Sequence, residues 1–129
     1  GLERFVAINS ALSVDLLGQV DGETIDGRQV SGVGGLPDFV RGAALAAGGR
    51  AIIALPERRA DGASRIVPLL PAGPVSLARH DADDVATEYG VAVLRDADVA
   101  TRAARLIAIA APEHRESLAR AWAELARRL

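Results

Sequence analysis

Arg50–Leu55 reads RAIIAL, with Gly48-Gly49 just before it and Pro56 just after. An uninterrupted apolar run of this length has the character of a strand buried on both faces in an α/β sheet. The runs around it have to supply the rest of that sheet. Phe5–Ile8 (FVAI) and Val14–Leu17 (VDLL) read as strands, with Arg28–Val30 (RQV) as a shorter one. Asp21-Gly22 and Asp26-Gly27 are turn dipeptides, because glycine takes a positive φ at little cost. Leu36–Ala47 reads as a helix, with Pro37 in its first turn, where a missing N–H loses nothing, and Gly48-Gly49 at its end.

Beyond the apolar strand, Pro56–Ser64 (PERRADGAS) is polar and reads as a surface loop or hairpin tip. Arg65–Leu70 is a strand whose Pro68 marks a sheet edge or the strand end, and Pro71–Pro74 is a linker. Asp84–Glu88 and Val91–Leu94 flank Tyr89-Gly90 as strand, tight turn and short apolar piece. From Asp98 the period changes. Val99, Ala103, Leu106, Ile107 and Ala110 fall on one helix face; after Pro112, Leu118, Ala121, Trp122, Leu125 and Leu129 form another. Arg102, Arg105, Arg115, Arg120, Arg127 and Arg128 read as solvated helix positions. Strands interleaved with helices, closing on a helical pair, predict one α/β domain over residues 1–129 with a mainly parallel or mixed sheet.

With 129 residues the chain can bury a core without staples, and with no cysteine it has no disulfide or thiolate chemistry. That composition fits a reducing cytoplasm. Aromatics are 3% of residues, so the core must be Val, Leu, Ile and Ala. A net charge of -2 with no basic stripe argues against nucleic acid, and no apolar run is long enough to span a membrane. The chain opens almost directly on an apolar run, as a natural domain can and as a piece cut from a longer polypeptide often does.

Gly32-Val33-Gly34-Gly35 lies between a short strand and a helix. Unpaired amides at a helix N-terminus attract negative charge, and glycines let a ligand approach that backbone closely. The ligand could be a phosphate or the oxyanion of an acyl transfer; a glycine turn needed only for packing fits equally well. The last glycine of a dinucleotide fingerprint is absent, and so is a Walker lysine. Glu88, in Thr87-Glu88-Tyr89-Gly90, lies at a strand end, where α/β sheets collect ligands; a plain surface turn is the alternative. Asn9-Ser10 closes the first strand, in a turn or against a ligand amide. His80 and His114 are scattered, without the spacing of a metal site, and no serine lies in a nucleophile elbow.

INSAL, SGVGG-x-x-DFVRGA, RAIIALP, SRIVPLL and TEYGVA-x-LR follow one another in this order between about Phe5 and Leu118. With them the chain resembles the C-terminal region of the acetyl-CoA hydrolase/transferase family, which includes acetate and 4-hydroxybutyrate CoA-transferases. The combination is specific, whereas any one glycine motif is not. The resemblance implies an α/β CoA-transferase (NagB/RpiA-like) fold of two similar halves with the active site between them. It implies transfer of CoA from an acyl-CoA to a small carboxylate through a glutamyl-CoA thioester, with CoA as substrate and no permanently bound cofactor or metal. It assigns Gly34, Gly35 and Glu88 to catalysis, and Asn9, Gly32, Val33 and Leu36 to binding CoA.

The departures from that family carry expectations too. The nucleophilic glutamate of relatives lies upstream of INSAL, so it and the N-terminal half are expected to be missing here. Glu88 is therefore not the nucleophile, and the piece alone is expected to be inert. Leu36 stands where many relatives have Gln, and Asp96 where a glycine is common. The expected partners are the rest of the transferase polypeptide and, through an apolar surface left exposed, a second copy of the chain. Hydrolysis of the acyl-CoA and a CoA-binding or interaction module without turnover are the competing readings.

Overall fold

Three of the apolar runs become neighbours in one sheet. In this computed structural model, which describes residues 6–22, 24–25, 28–29, 49–71 and 81–129, β1 (Val6–Ser10), β6 (Arg50–Ala54) and β8 (Asp84–Thr87) run parallel, and β9 (Gly90–Val93) returns antiparallel. The strand order is β1-β6-β8-β9. A second sheet, in the order β3-β2-β7, joins β2 (Ser13–Asp15), β3 (Val20–Asp21) and β7 (Ile66–Val67). β4 (Thr24–Ile25) and β5 (Arg28–Gln29) pair antiparallel. The mixed α/β architecture is the expected one. The helix anticipated over residues 36–47 and the Asp26-Gly27 turn lie outside the described residues.

Register decides which side chains share a face. Asn9, Ile53, Val85 and Ala92 stand side by side across the main sheet, and Ile53, Val85 and Ala92 are buried in the core. Ile8, Ile52, Asp84 and Val93 form the next row, on the opposite face. That face is only partly covered: Ile8 is 64% exposed, Val91 60% and Val93 42%. The β6 strand is accordingly buried through Ala51 and Ile53 and only half-buried through Ile52 and Ala54. Burial on both faces, expected from its apolar composition, is thus complete on one face only.

Val14, Val20 and Ile66 of the small sheet, with Leu16 just past β2, join Ile53, Val85, Leu94 and Leu106 in the core. It is an aliphatic core, as the composition required, with Trp122 packed against its edge.

Two strand predictions needed correction. The VDLL run stops pairing at Asp15, whose buried carboxylate accepts hydrogen bonds from the backbone N–H groups of Leu17, Gln19 and Leu70 and from the Gln19 side chain. An aspartate that takes up so many donors favours a local turn over a continued strand. Arg65–Leu70 shortens in the same way to Ile66–Val67, and Pro68 cannot donate to a ladder.

The helical third matches its periodicity. Helix α1 (Val99–Ala108) begins at Asp98, whose side chain accepts the Thr101 N–H at 2.7 Å. Helix α2 (Pro112–Ala126) starts on proline and buries Leu118. Arg120, Arg127 and Arg128 are exposed, paired with Glu116 or Glu124. Arg102, expected in solvent, is instead buried, its Nε donating to the Ala97 carbonyl. Leu129, expected on the apolar face, lies past the helix end and is exposed. Among the described residues no helix is long and apolar enough to cross a membrane.

Candidate functional site

Parallel strands bring their carboxyl ends to one side of a sheet, and loops leaving that side supply the side chains of a site. Here Ser10, Ala54 and Ala86 stand in register near those ends. A cleft of about 420 Å³ opens there, lined by Ala54, Leu55, Pro56, Ala86, Thr87 and Glu88. Its walls are mostly aliphatic, and Glu88 supplies the charge.

Glu88 occupies the two-residue connection between β8 and β9. Gly90 follows at φ 142, a backbone conformation that side-chain-bearing residues rarely adopt. The Thr87 hydroxyl donates to the Ile109 carbonyl at 2.6 Å and accepts the Tyr89 N–H at 3.1 Å, so the turn is tied to the connection between the helices. The exposed Glu88 carboxylate receives the Glu57 backbone N–H on Oε1 at 2.7 Å. Its own backbone N–H, then that of Glu57, and the nearby Arg58 charge together hold the Glu88 carboxyl below the ordinary glutamate value. The result is a fixed, ionised acceptor at the mouth of the cleft.

The segment expected to be a surface loop or hairpin tip is a hairpin tip: Arg58 bridges Ser64, and Arg59 N–H donates to the Ala63 carbonyl at 2.7 Å. Its first acid does not belong to the surface. Glu57 has no solvent exposure. Its Oε2 accepts the Ala111 N–H at 2.6 Å, and its Oε1 shares a hydrogen bond with His114 Nδ1 at 2.6 Å. Next to it, Arg58 forks onto Glu113 at 2.6 and 2.9 Å and lies 5.5 Å from the centre of the Tyr89 ring. Arg115, expected in solvent, approaches the same ring at 5.9 Å while its Nε donates to the Ala110 carbonyl. Sequence reading missed Glu57. The available signal was an acid three residues beyond the β6 strand, at the end of the sheet where Glu88 sits.

Asn9 and Ser10 belong to the β1 strand, not to a turn, because they pair with Ile53 and Ala54. The Asn9 side chain lies on the core face, and its Nδ2 is buried with no hydrogen-bond partner among the described residues. An orphaned buried amide is costly in a folded protein and calls for an explanation. The sheet thus brings Asn9 and Glu88 to the same end, one residue before the end of β1 and one after the end of β8. Gly32, Val33, Gly34, Gly35, Leu36 and His80 lie outside the described residues. Among the described residues no three His, Cys, Asp or Glu side chains come together to hold a metal ion.

Comparison with known proteins identifies the family of the chain. Residues 2–122 match the acetyl-CoA hydrolase/transferase C-terminal domain. The 4-hydroxybutyrate coenzyme A transferase of Clostridium kluyveri is 52% identical over 118 residues, 90% of this chain and 28% of that protein. The butyryl-CoA:acetate CoA-transferase of Anaerostipes caccae is 40% identical over 91% of the chain and 27% of its own length. The crystal structure of RipA from Yersinia pestis superposes with a TM-score of 0.85 at 41% identity, covering 93% of the chain and 27% of RipA. The chain therefore spans little more than a quarter of these relatives. With residues 2–122 matched, this chain belongs to the acetyl-CoA hydrolase/transferase family.

Proposed function

We propose that this chain is the C-terminal part of an acyl-CoA:carboxylate CoA-transferase of the cytoplasm, working through a glutamyl-CoA thioester. The observation that carries the proposal is Glu88, an acceptor held ionised by a backbone N–H at the carboxyl ends of the parallel strands. The aliphatic cleft beside it suits an acyl or pantetheine chain. In this reading the nucleophilic glutamate comes from a part of the polypeptide outside these residues. Its carboxylate attacks the acyl-CoA thioester and expels CoA thiolate, leaving a mixed anhydride. The thiolate then attacks the glutamyl carbonyl and releases the donor acid as its carboxylate, and an acceptor carboxylate reverses these two steps to take the CoA and restore the glutamate. Dividing the transfer into two exchanges lowers each barrier.

Each assigned residue then has a separate task. The amides of Gly34 and Gly35 stabilise the oxyanion of each tetrahedral intermediate, with Gly32, Val33 and Leu36 against the CoA. Asn9, at the same end of the sheet, is assigned to the CoA or acyl end. Glu88 orients an N–H or O–H donor of the substrate and is not itself acylated. Hydrolysis differs only in letting water reach the same thioester.

The test is CoA exchange between acetyl-CoA and a labelled carboxylate, with products resolved in the presence and absence of acetate. The complete polypeptide should exchange CoA, and Glu88→Gln should slow it about a hundredfold. The 129-residue chain alone should be inert. Robust exchange by the isolated chain, or full activity of Glu88→Gln, would overturn the reading.

A further inference from the structure

The geometry points to Glu57 and His114 as positioning residues for Glu88: the buried Glu57 carboxylate, clamped by Ala111 N–H and His114 Nδ1, fixes the Glu57 amide that donates to Glu88 Oε1. This inference rests on the reading of Glu88 as a site residue. Three observations converge on it. First, a carboxylate with no solvent exposure is expensive to bury, and an apolar side chain of similar size would fill the same space. The fold keeps the acid where its own backbone N–H reaches the site. Second, the clamp joins segments more than fifty residues apart in sequence, and its second anchor is a helix start, a rigid support. Third, the Glu88 turn is tied from its other side to the same inter-helix connection, through Thr87 and Ile109. Donor and acceptor of the 2.7 Å bond are thus referred to one base, the chain between α1 and α2. A site side chain held by such outer partners keeps its geometry; without them it drifts by the fraction of an ångström that catalysis notices.

The ring nitrogen bound to Glu57 is Nδ1, the position that an asparagine amide nitrogen can imitate. This gives a rescue experiment. In ¹H–¹⁵N spectra of the 129-residue chain, the Glu57 amide proton should follow the titration of the Glu88 carboxyl, since it donates to it. His114→Ala should lose most of that excursion with the rest of the spectrum folded, and His114→Asn should restore it. Asparagine carries no charge, so rescue separates placement from electrostatics. In the complete polypeptide, His114→Ala should lower kcat about tenfold with KM nearly unchanged, and His114→Asn should recover it. A folded His114→Ala whose Glu57 amide still tracks Glu88 overturns the inference. Should alanine prevent folding, Glu57→Gln decides in the same way, by losing or keeping the excursion. The two readings fail differently. Glu88→Gln without effect on CoA exchange removes the role of Glu88 and leaves the clamp standing; an active-site Glu88 indifferent to His114 removes only the clamp.

Discussion

The two ends of the main sheet treat their carboxylates in opposite ways. At the amino end, Asp83 and Asp84 are each gripped by an arginine. Arg95 forks onto Asp83 at 2.8 and 3.0 Å, and Arg50 onto Asp84 at 2.6 and 2.7 Å. Asp83 also accepts the Ala51 N–H, and Arg95 reaches the Gly49 carbonyl, so the pair stitches the starts of β6 and β8 together. At the carboxyl end, neither Glu57 nor Glu88 takes a fork from a guanidinium among the described residues; backbone N–H groups and an imidazole hold them. A bidentate arginine would occupy both carboxylate oxygens and neutralise the charge. An amide fixes one oxygen and leaves the negative charge without a paired cation. One end is built to close, the other to present an acceptor.

The largest effect expected from breaking this contrast is at Asp83. Asp83→Ala leaves the buried Ala51 N–H without its partner and Arg95 without a counter-charge. It should cost about 3 kcal/mol in urea unfolding while leaving the Glu57 amide signature intact. A loss of that signature would mean that the two ends are not independent. Asp84→Asn should cost less, about 1 kcal/mol by the same measurement, because Arg50 is 35% exposed and solvent screens the pair.

The smallest effect concerns pH. Arg58, followed by the residue's own backbone N–H, pushes the Glu113 carboxyl down from 4.5 to about 2. A carboxyl depressed by folding stabilises above its unfolded value and loses that contribution as pH falls through the folded one. The Arg58–Glu113 link should therefore persist at pH 4 and open only as pH nears 2, as a side-chain carboxyl titration by NMR would record. Opening already near 4.5 would show that the hairpin tip is not tied to α2 in solution.

What the sequence disclosed follows from how local each feature is. Apolar runs and helical spacing located β1, β6, β8 and β9 and both helices, because burial of neighbours in sequence leaves a period. The placement of Glu88 at a strand end was legible for the same reason. Glu57 was not. Its burial depends on Ala111 and His114, 54 and 57 residues away, and no local pattern in PERRADGAS carries that information. Arg102 and Asp15 were missed on related grounds: a charged side chain was read by its type, while a carbonyl or a set of amides decided its surroundings. Asp96 is the reverse case. It was expected at a position that favours glycine, and its φ of 61 lies in the left-handed region, which glycine enters freely and aspartate with some strain.

The two-residue connection that bears Glu88 leaves no slack. Thr87 faces Gly90 across the ladder, so an insertion or deletion between them would shift the hairpin pairing by a step and turn the acid toward the other side of the sheet. Proteins built on this plan can exchange the residues around the acceptor, but they cannot change the spacing. Any redesign of this cleft must therefore work by substitution in its walls, with the loop length held constant.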